Sequence, residues 1–160
     1  FAGVDVTRAE TLAPVLAGSH AVVNLVGAFA GDLDALQGKG AGVVAAAAKA
    51  AGVSAFVHVS AIGADAGSDV PYARSKGEGE NAVRAAFPEA IIVRPSVMFG
   101  PDDRFVNMFA NLIARLPVLP VFAPQAKLQP VFVDDVATAI GNALAAPSVH
   151  GGRPRGRHDA

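Results

Sequence analysis

Three short runs of β-branched and small apolar residues, Ala21 to Gly27 (AVVNLVG), Ala55 to Ala61 (AFVHVSA) and Ala90 to Val97 (AIIVRPSV), alternate with segments of helical period. That alternation is what a parallel sheet with crossover helices requires, and it constrains the fold more than any other feature. The runs are nearly continuous in apolar character, as expected of strands covered on both faces. With 160 residues, 52% of them hydrophobic, the chain can bury one core and falls short of two ordinary domains.

Between the first two strands, Leu33 to Ala51 predicts a helix stopped by Gly52 and weakened by its own glycines near Gly38 to Gly42. Pro71 and the run Tyr72 to Ala86 predict a second helix, since proline is tolerated in a first turn and Pro88 bars continuation. After Pro101 the pattern loosens: a helix is expected from about Arg104 to Arg115, then an extended passage punctuated by Pro117, Pro120, Pro124 and Pro130. A last helix, Val136 to Ala145, should be capped by Asp134 or Asp135 and ended by Pro147. The expected layout is one domain over residues 1–146, with a small substrate-facing region near 100–133. Residues 147–160, ending in GGRPRGRHDA, are expected to be a disordered tail, having neither period nor apolar face.

Composition narrows the function. A formal charge of -1 and a pI near 6.5 leave no excess of cations to hold phosphates, which argues against DNA or RNA as partner. Without cysteine there is no disulfide, thiolate metal site or catalytic thiol, and cytoplasm is the default compartment. The longest apolar stretch, Gly42 to Val53, is interrupted by Lys49 and too short to span a bilayer, so no transmembrane segment is expected. His20, His58, His150 and His158 lack metal-site spacing, and His58 is expected in the core with a backbone partner. The pairs Asp102–Asp103 and Asp134–Asp135 read as helix caps, and Phe105, Phe109 and Leu112 as core or pocket lining.

The chemistry concentrates in Y-A-R-S-K, Tyr72 to Lys76, opening a helix twelve residues after Ser60 at the carboxyl end of a strand. Four residues along a helix bring Tyr72 and Lys76 to one face. An ammonium beside the phenol should lower the tyrosine pKa and let Tyr72 exchange a proton with a hydroxyl or carbonyl near neutral pH, with Ser60 polarising the same oxygen. Alternatively the Y-x-x-x-K spacing is that of any solvated helix, Ser60 is a small polar strand end, and Gly27 merely allows a tight turn.

The order of Ser60, Y-x-x-x-K and then I-I-V-R-P-S-V-M-F-G-P resembles the short-chain dehydrogenase/reductase superfamily. Over Val4 to Ala146, the segments GVDVTRAETL, AVVNLVG, AGVSAFVHVSAIGADA, YARSKGEGE, RPSVMFGPDDRF and QPVFVDDVATAI resemble its atypical branch, which contains the NAD(P)-binding accessory subunit of respiratory complex I and its bacterial relatives. The resemblance implies a doubly wound parallel-sheet Rossmann-type domain with NADP or NAD as cofactor. By position it makes Tyr72 the general acid/base, Lys76 the ribose-binding partner and Ser60 the substrate-polarising hydroxyl. It sets Asp5 and Val6 by the adenine, Leu25, Val26 and Gly27 against the cofactor, and Pro95 and Ser96 at the nicotinamide.

Two departures from the pattern shape the functional expectation. Gln37 stands where the superfamily places a proton-relay asparagine. The G-x-x-G-x-x-G loop, which belongs about two βα units upstream, is not in the sequence. Opening on Phe1, the chain reads as a domain missing its first βαβαβ half, with an unprotected edge at Ala21 to Gly27 that invites self-association and with weak NAD(P)H binding on its own.

Three functions follow. The first is a complex-I-accessory type of NAD(P)(H)-binding protein, peripheral to the inner membrane, with weak or vestigial oxidoreductase chemistry and a respiratory-complex or membrane-associated partner. The second is an active reductase, epimerase or dehydratase acting on a sugar- or sterol-like alcohol. The third is a non-catalytic assembly module.

Overall fold

The computed structural model describes residues 3–103, 107, 113–114, 125 and 128–145. Its centre is a parallel sheet of three strands, β1 (Ala21–Asn24), β2 (Ala55–Val59) and β3 (Ile91–Val93), in the order β1-β2-β3. Ala21 aligns with Ala55 across the first pair and Val57 with Ile91 across the second. β2 is buried along its whole length, as its unbroken apolar run predicts. Phe56 packs on one face of the sheet with Val83 and Phe87, and its ring stacks on Phe87 at 5.4 Å. Val57 and Val59 pack on the other, beneath Ile140, Ala143 and Leu144. β1 has β2 as its neighbour and forms an edge of the sheet as described.

The helix α1 (Ala9–Leu16), a segment to which the sequence reading assigned no element, holds Pro14 inside it. It forms because Leu12 and Leu16, four apart, bury themselves against the core shared with the following helix. The next helical stretch does span the predicted region, with one difference. Asp34–Lys39 is a π-helical turn, and α2 proper runs from Gly40 to Ala50. Its end is as predicted: Gly52 has φ 76°, its N–H donates to Lys49 O, and Val53 N–H donates to Ala48 O.

α3 (Pro71–Ala86) opens with Pro71 in its first turn and packs most closely against α2 and the π turn. Glycines permit that approach. A Cβ on Gly79 would overlap the Gln37 carbonyl oxygen, and one on Gly42 would lie 2.8 Å from the Ala82 Cβ.

Beyond β3 the ladder continues into the loop, where Ser60 N–H donates to Val93 O (2.8 Å) and Ile62 N–H to Pro95 O (3.0 Å). A second parallel pair, β4 (Met98–Phe99) and β5 (Val131–Phe132), leads into α4 (Val133–Ala145). Asp134 and Asp135 sit within the first turn of α4 rather than ahead of it as caps, since the helix begins at Val133. There they still face the free N–H groups of the helix start. The expected helix Arg104–Arg115, the core positions Phe105, Phe109 and Leu112, nearly all of the proline-punctuated passage and the tail lie outside the described residues. No helix among the described residues is long and apolar enough to cross a membrane.

Candidate functional site

Ligands of open α/β sheets bind beyond the carboxyl ends of the strands. In this chain those ends release three loops, starting at Leu25, Ser60 and Arg94, and α3 runs beside all three. Tyr72, Lys76 and Glu80 follow one another at four-residue intervals along α3, so one helix face presents all three to the strand ends.

Lys76 is 4% exposed. Its Nζ donates to Val26 O at 3.2 Å and to Val59 O at 3.3 Å, tying α3 to the ends of β1 and β2. Burial pushes the ammonium below its ordinary pKa, and the nearby Glu80 carboxylate works against that shift. Gly27 leaves room beside the ammonium, since a Cβ there would stand 3.3 Å from Nζ.

Tyr72 departs from the expectation. Burial raises its phenol above the ordinary value, and Lys76 does not lower it. The reason is geometric: the ammonium is held by two backbone carbonyls at the strand ends. The Tyr72 ring stacks face to face on Phe29, with centroids 5.1 Å apart and planes 11° from parallel. Ser60 is 5% exposed, and its Oγ has no hydrogen bond of regular geometry. It stands close enough to Glu80, two helical turns past Tyr72, to favour the ionised carboxylate.

Glu80 was not singled out in the sequence. Burial alone would raise its pKa, but the hydrogen bonds from Arg94, the proximity of the Ser60 hydroxyl and the charges of Arg94 and Arg84 hold it below the ordinary range. Arg94 closes on it with two parallel bonds of 2.7 Å, and Arg84 reaches it at 3.0 Å. This pair joins α3 to the residue just ahead of Pro95 and Ser96. Helical periodicity from Tyr72 through Lys76 was the signal that would have found Glu80.

Gln37 is fully buried in the π turn, its Oε1 accepting from Ala28 N–H (3.0 Å) and its Nε2 donating to Ser75 Oγ (2.9 Å). It clamps the loop after β1 to α3. Single π turns recur at functional sites, where they redirect a side chain inward.

His58 faces the same helix. Its partner is the Asn24 side chain, Nδ2 to Nδ1 at 3.2 Å, and not the backbone partner expected from the sequence; Nε2 has none among the described residues. Burial foremost, then the charge of Lys76, lowers its pKa to about 4.

Of the remaining predicted positions, Pro95 and Ser96 border this site, Pro95 through its bond from Ile62. Leu25 is exposed, and Val26 contributes its carbonyl. Asp5 and Val6 lie apart from Tyr72, in the turn before α1. Asp5 accepts from the Thr7 N–H and hydroxyl, and these bonds lower its pKa. Val6 packs beside Gly40 at the start of α2.

A nicotinamide dinucleotide fits what these residues offer. An ammonium has three donors, and two of those on Lys76 are engaged by Val26 and Val59, leaving one for a ribose hydroxyl next to the space kept open by Gly27.

A parallel sheet with crossover helices and loops gathered at the carboxyl ends of its strands is an α/β fold of Rossmann type. The chain belongs to the NAD(P)H-binding family, whose profile matches residues 2–106, and the RmlD substrate binding domain profile matches residues 68–152. It is similar to the NADH dehydrogenase [ubiquinone] 1 alpha subcomplex subunit 9, mitochondrial, of Rattus norvegicus: 46% identical over 110 residues, covering 68% of this chain and 29% of that protein. It is similar also to the ceramide reductase of Caulobacter vibrioides, 44% identical over 101 residues, covering 63% and 32%. Among solved structures it shares the fold of the dTDP-4-dehydrorhamnose reductase of Clostridium acetobutylicum, with a TM-score of 0.76 at 23% identity over 90% of this chain and 59% of that one. The chain thus spans about a third of the length of these curated relatives.

Proposed function

We propose that this chain forms the nicotinamide-ribose side of an NAD(P)(H) site of the complex-I-accessory type, with Lys76 as the ribose contact and with slow or vestigial turnover. The observation that carries the reading is the buried Lys76 ammonium, held at the carboxyl ends of β1 and β2 beside Gly27. Leu25, Val26 and Gly27 line the cofactor on one side and Pro95 and Ser96 border it on the other, while Asp5 and Val6 lie on the adenine side.

When bound, the dinucleotide supplies or accepts a hydride. Tyr72, its pKa raised by burial, keeps its proton at neutral pH and stands where it can pass that proton to a carbonyl oxygen. The low rate follows from Gln37 serving as a clamp where a relay asparagine would stand.

A second reading, an active carbonyl reductase with Ser60 polarising the substrate, is favoured by the protonated Tyr72 together with the similarity to a ceramide reductase. The similarity to a mitochondrial NADH dehydrogenase subunit supports a respiratory-complex or membrane-associated protein partner and a location peripheral to the inner membrane.

The test uses the full-length protein. Lys76→Met should weaken NADPH binding at least tenfold by fluorescence titration, with circular dichroism verifying the fold. Tyr72→Phe should leave affinity within a few-fold and abolish any hydride transfer to carbonyl compounds. Unchanged affinity in Lys76→Met contradicts the ribose role, and turnover surviving in Tyr72→Phe contradicts the proton-donor role.

A further inference from the structure

Tyr72 is held by contacts that close into one circuit. Pro71 fixes the backbone just ahead of it in the first turn of α3. Its carbonyl oxygen accepts from Ser75 Oγ at 3.1 Å, Ser75 Oγ accepts from Gln37 Nε2 at 2.9 Å, and Gln37 Oε1 accepts from Ala28 N–H at 3.0 Å. The next residue is Phe29, whose ring lies back on the Tyr72 ring, with centroids 5.1 Å apart and planes 11° from parallel. The path leaves Tyr72 through its carbonyl and returns through its phenol.

The donors in this circuit admit one arrangement. A backbone N–H can only donate, so Ala28 sets Gln37 Oε1 towards the loop and Nε2 towards Ser75. An amide nitrogen also only donates, so Ser75 Oγ accepts from it and turns its own proton to the Tyr72 carbonyl. Gln37 and Ser75 are fully buried, where solvent does not compete for these bonds. The far side of the loop is fixed too: Gly31 turns it back with φ 84°, and Asp32 Oδ1 accepts from Ala35 N–H in the π turn (2.9 Å).

Phe29 takes no part in the core, being 88% exposed. Its contact with Tyr72 instead supplies what the phenol lacks. Among the described residues no hydrogen bond sets the direction of the Tyr72 hydroxyl, and burial is what raises its pKa. An aromatic ring stacked on one face restricts the plane of the phenol and removes that face from water, leaving the other face and the hydroxyl to a substrate.

We propose that Phe29 is a positioning residue for Tyr72, holding the plane of the phenol and covering one of its faces, and that Gln37 acts through Phe29 by fixing its loop to α3. The proposal rests on the reading of Tyr72 as the proton donor to a carbonyl oxygen. It gives the buried Gln37 a part in that step without a place in the path of the proton.

The experiment uses the full-length protein with 3,5-difluorotyrosine in place of tyrosine, and follows Tyr72 by fluorine NMR, its signal assigned by its loss in Tyr72→Phe. The fluorinated phenol ionises at lower pH than tyrosine, which keeps the titration within the range of the folded protein, and circular dichroism verifies the fold of each variant. Phe29→Ala should lower the pH of Tyr72 ionisation by about half a unit or more, because it uncovers the ring. Gln37→Asn, a methylene too short to reach both Ala28 and Ser75, should do the same, and the double variant should shift no further than either alone. Phe29→Trp, a flat ring in the same exposed place, should restore the ionisation, and Val15→Ala, an exposed apolar position on α1, should not alter it. In turnover of a carbonyl compound with NADPH, Phe29→Ala should lower kcat about tenfold and leave KM for NADPH within about twofold. An ionisation unmoved in Phe29→Ala, shifts of the two variants that add, or an unchanged kcat overturns the proposal. NADPH affinity is titrated separately: a protein that does not bind NADPH contradicts the dinucleotide reading, while the ionisation, measured without cofactor or substrate, still decides whether Phe29 and Gln37 hold the phenol.

Discussion

Lowering the pH from 7.5 to 5 should remove about 2 kcal/mol of stability through His58 alone. The imidazole is completely buried, and its pKa is about 4 in the folded chain against 6.5 when free. The Asn24 Oδ1 accepts from Val26 N–H at 3.1 Å, which turns the Asn24 amide nitrogen towards His58 Nδ1. Nδ1 must then accept, the single proton sits on Nε2, and a second proton would set two donors against each other. The facing charges are Lys76, Glu80 and Arg84, all from α3, and the two cations outweigh the carboxylate.

Because the folded pKa lies below the unfolded one, the unfolded chain binds more protons between pH 6.5 and about 4, and stability falls as pH falls through that window. The full difference amounts to roughly 3 kcal/mol at about 1.36 kcal/mol per unit. Carboxylates such as Glu80, lowered from a model-compound value of 4.5, take effect further down, so the interval from 6.5 to 4.5 belongs to the histidine. Urea unfolding followed by circular dichroism at a series of pH values reads the slope, and His58→Leu should flatten it. A slope unchanged in that variant refutes the reasoning, as does an NMR titration placing the His58 imidazole near its free value.

Gly79→Ala should cost about 1–3 kcal/mol in urea unfolding, since its Cβ meets the Gln37 carbonyl oxygen between α3 and the π turn; an unchanged midpoint would show that the two helices slide apart freely. Glu80→Ala should destabilise by roughly 2 kcal/mol, less than a fully buried pair, because Arg94 and Arg84 are each about half exposed and rehydrate. It should also weaken NADPH binding several-fold by freeing the Pro95–Ser96 loop, and unaltered affinity would separate Glu80 from the site. Residues 1–160 expressed alone should self-associate through the β1 edge and bind NADPH weakly. Sedimentation showing a monodisperse monomer with micromolar affinity would contradict that.

Features carried by periodicity were legible in the sequence. The three strands, the Gly52 stop and the proline-led α3 all came from patterns of two to four residues, and Tyr72 and Lys76 fell on one helix face for the same reason. What escaped depended on contacts distant in the chain. No element was assigned to the segment that forms α1, whose existence rests on Leu12 and Leu16 reaching the α2 core. The π turn is local, but its cause is tertiary: Gln37 must turn inward to meet Ser75 on α3, thirty-eight positions later. Lys76 was expected to tune Tyr72, and spacing alone could not reveal that Val26 and Val59 hold its ammonium. His58 was recognised as a core residue, while its partner Asn24 lies on a different strand. Glu80 shared the helix face of Lys76 from the start, but its value became visible only when β3 brought Arg94 alongside.

The most direct test is a crystal structure of the full-length protein with NADP bound. A nicotinamide-ribose hydroxyl should lie about 3 Å from Lys76 Nζ, with Gly27 against the ribose and the Val26 and Val59 carbonyls still bonded to the ammonium. A dinucleotide bound away from the carboxyl ends of β1 and β2, with no contact to Lys76, would contradict the account.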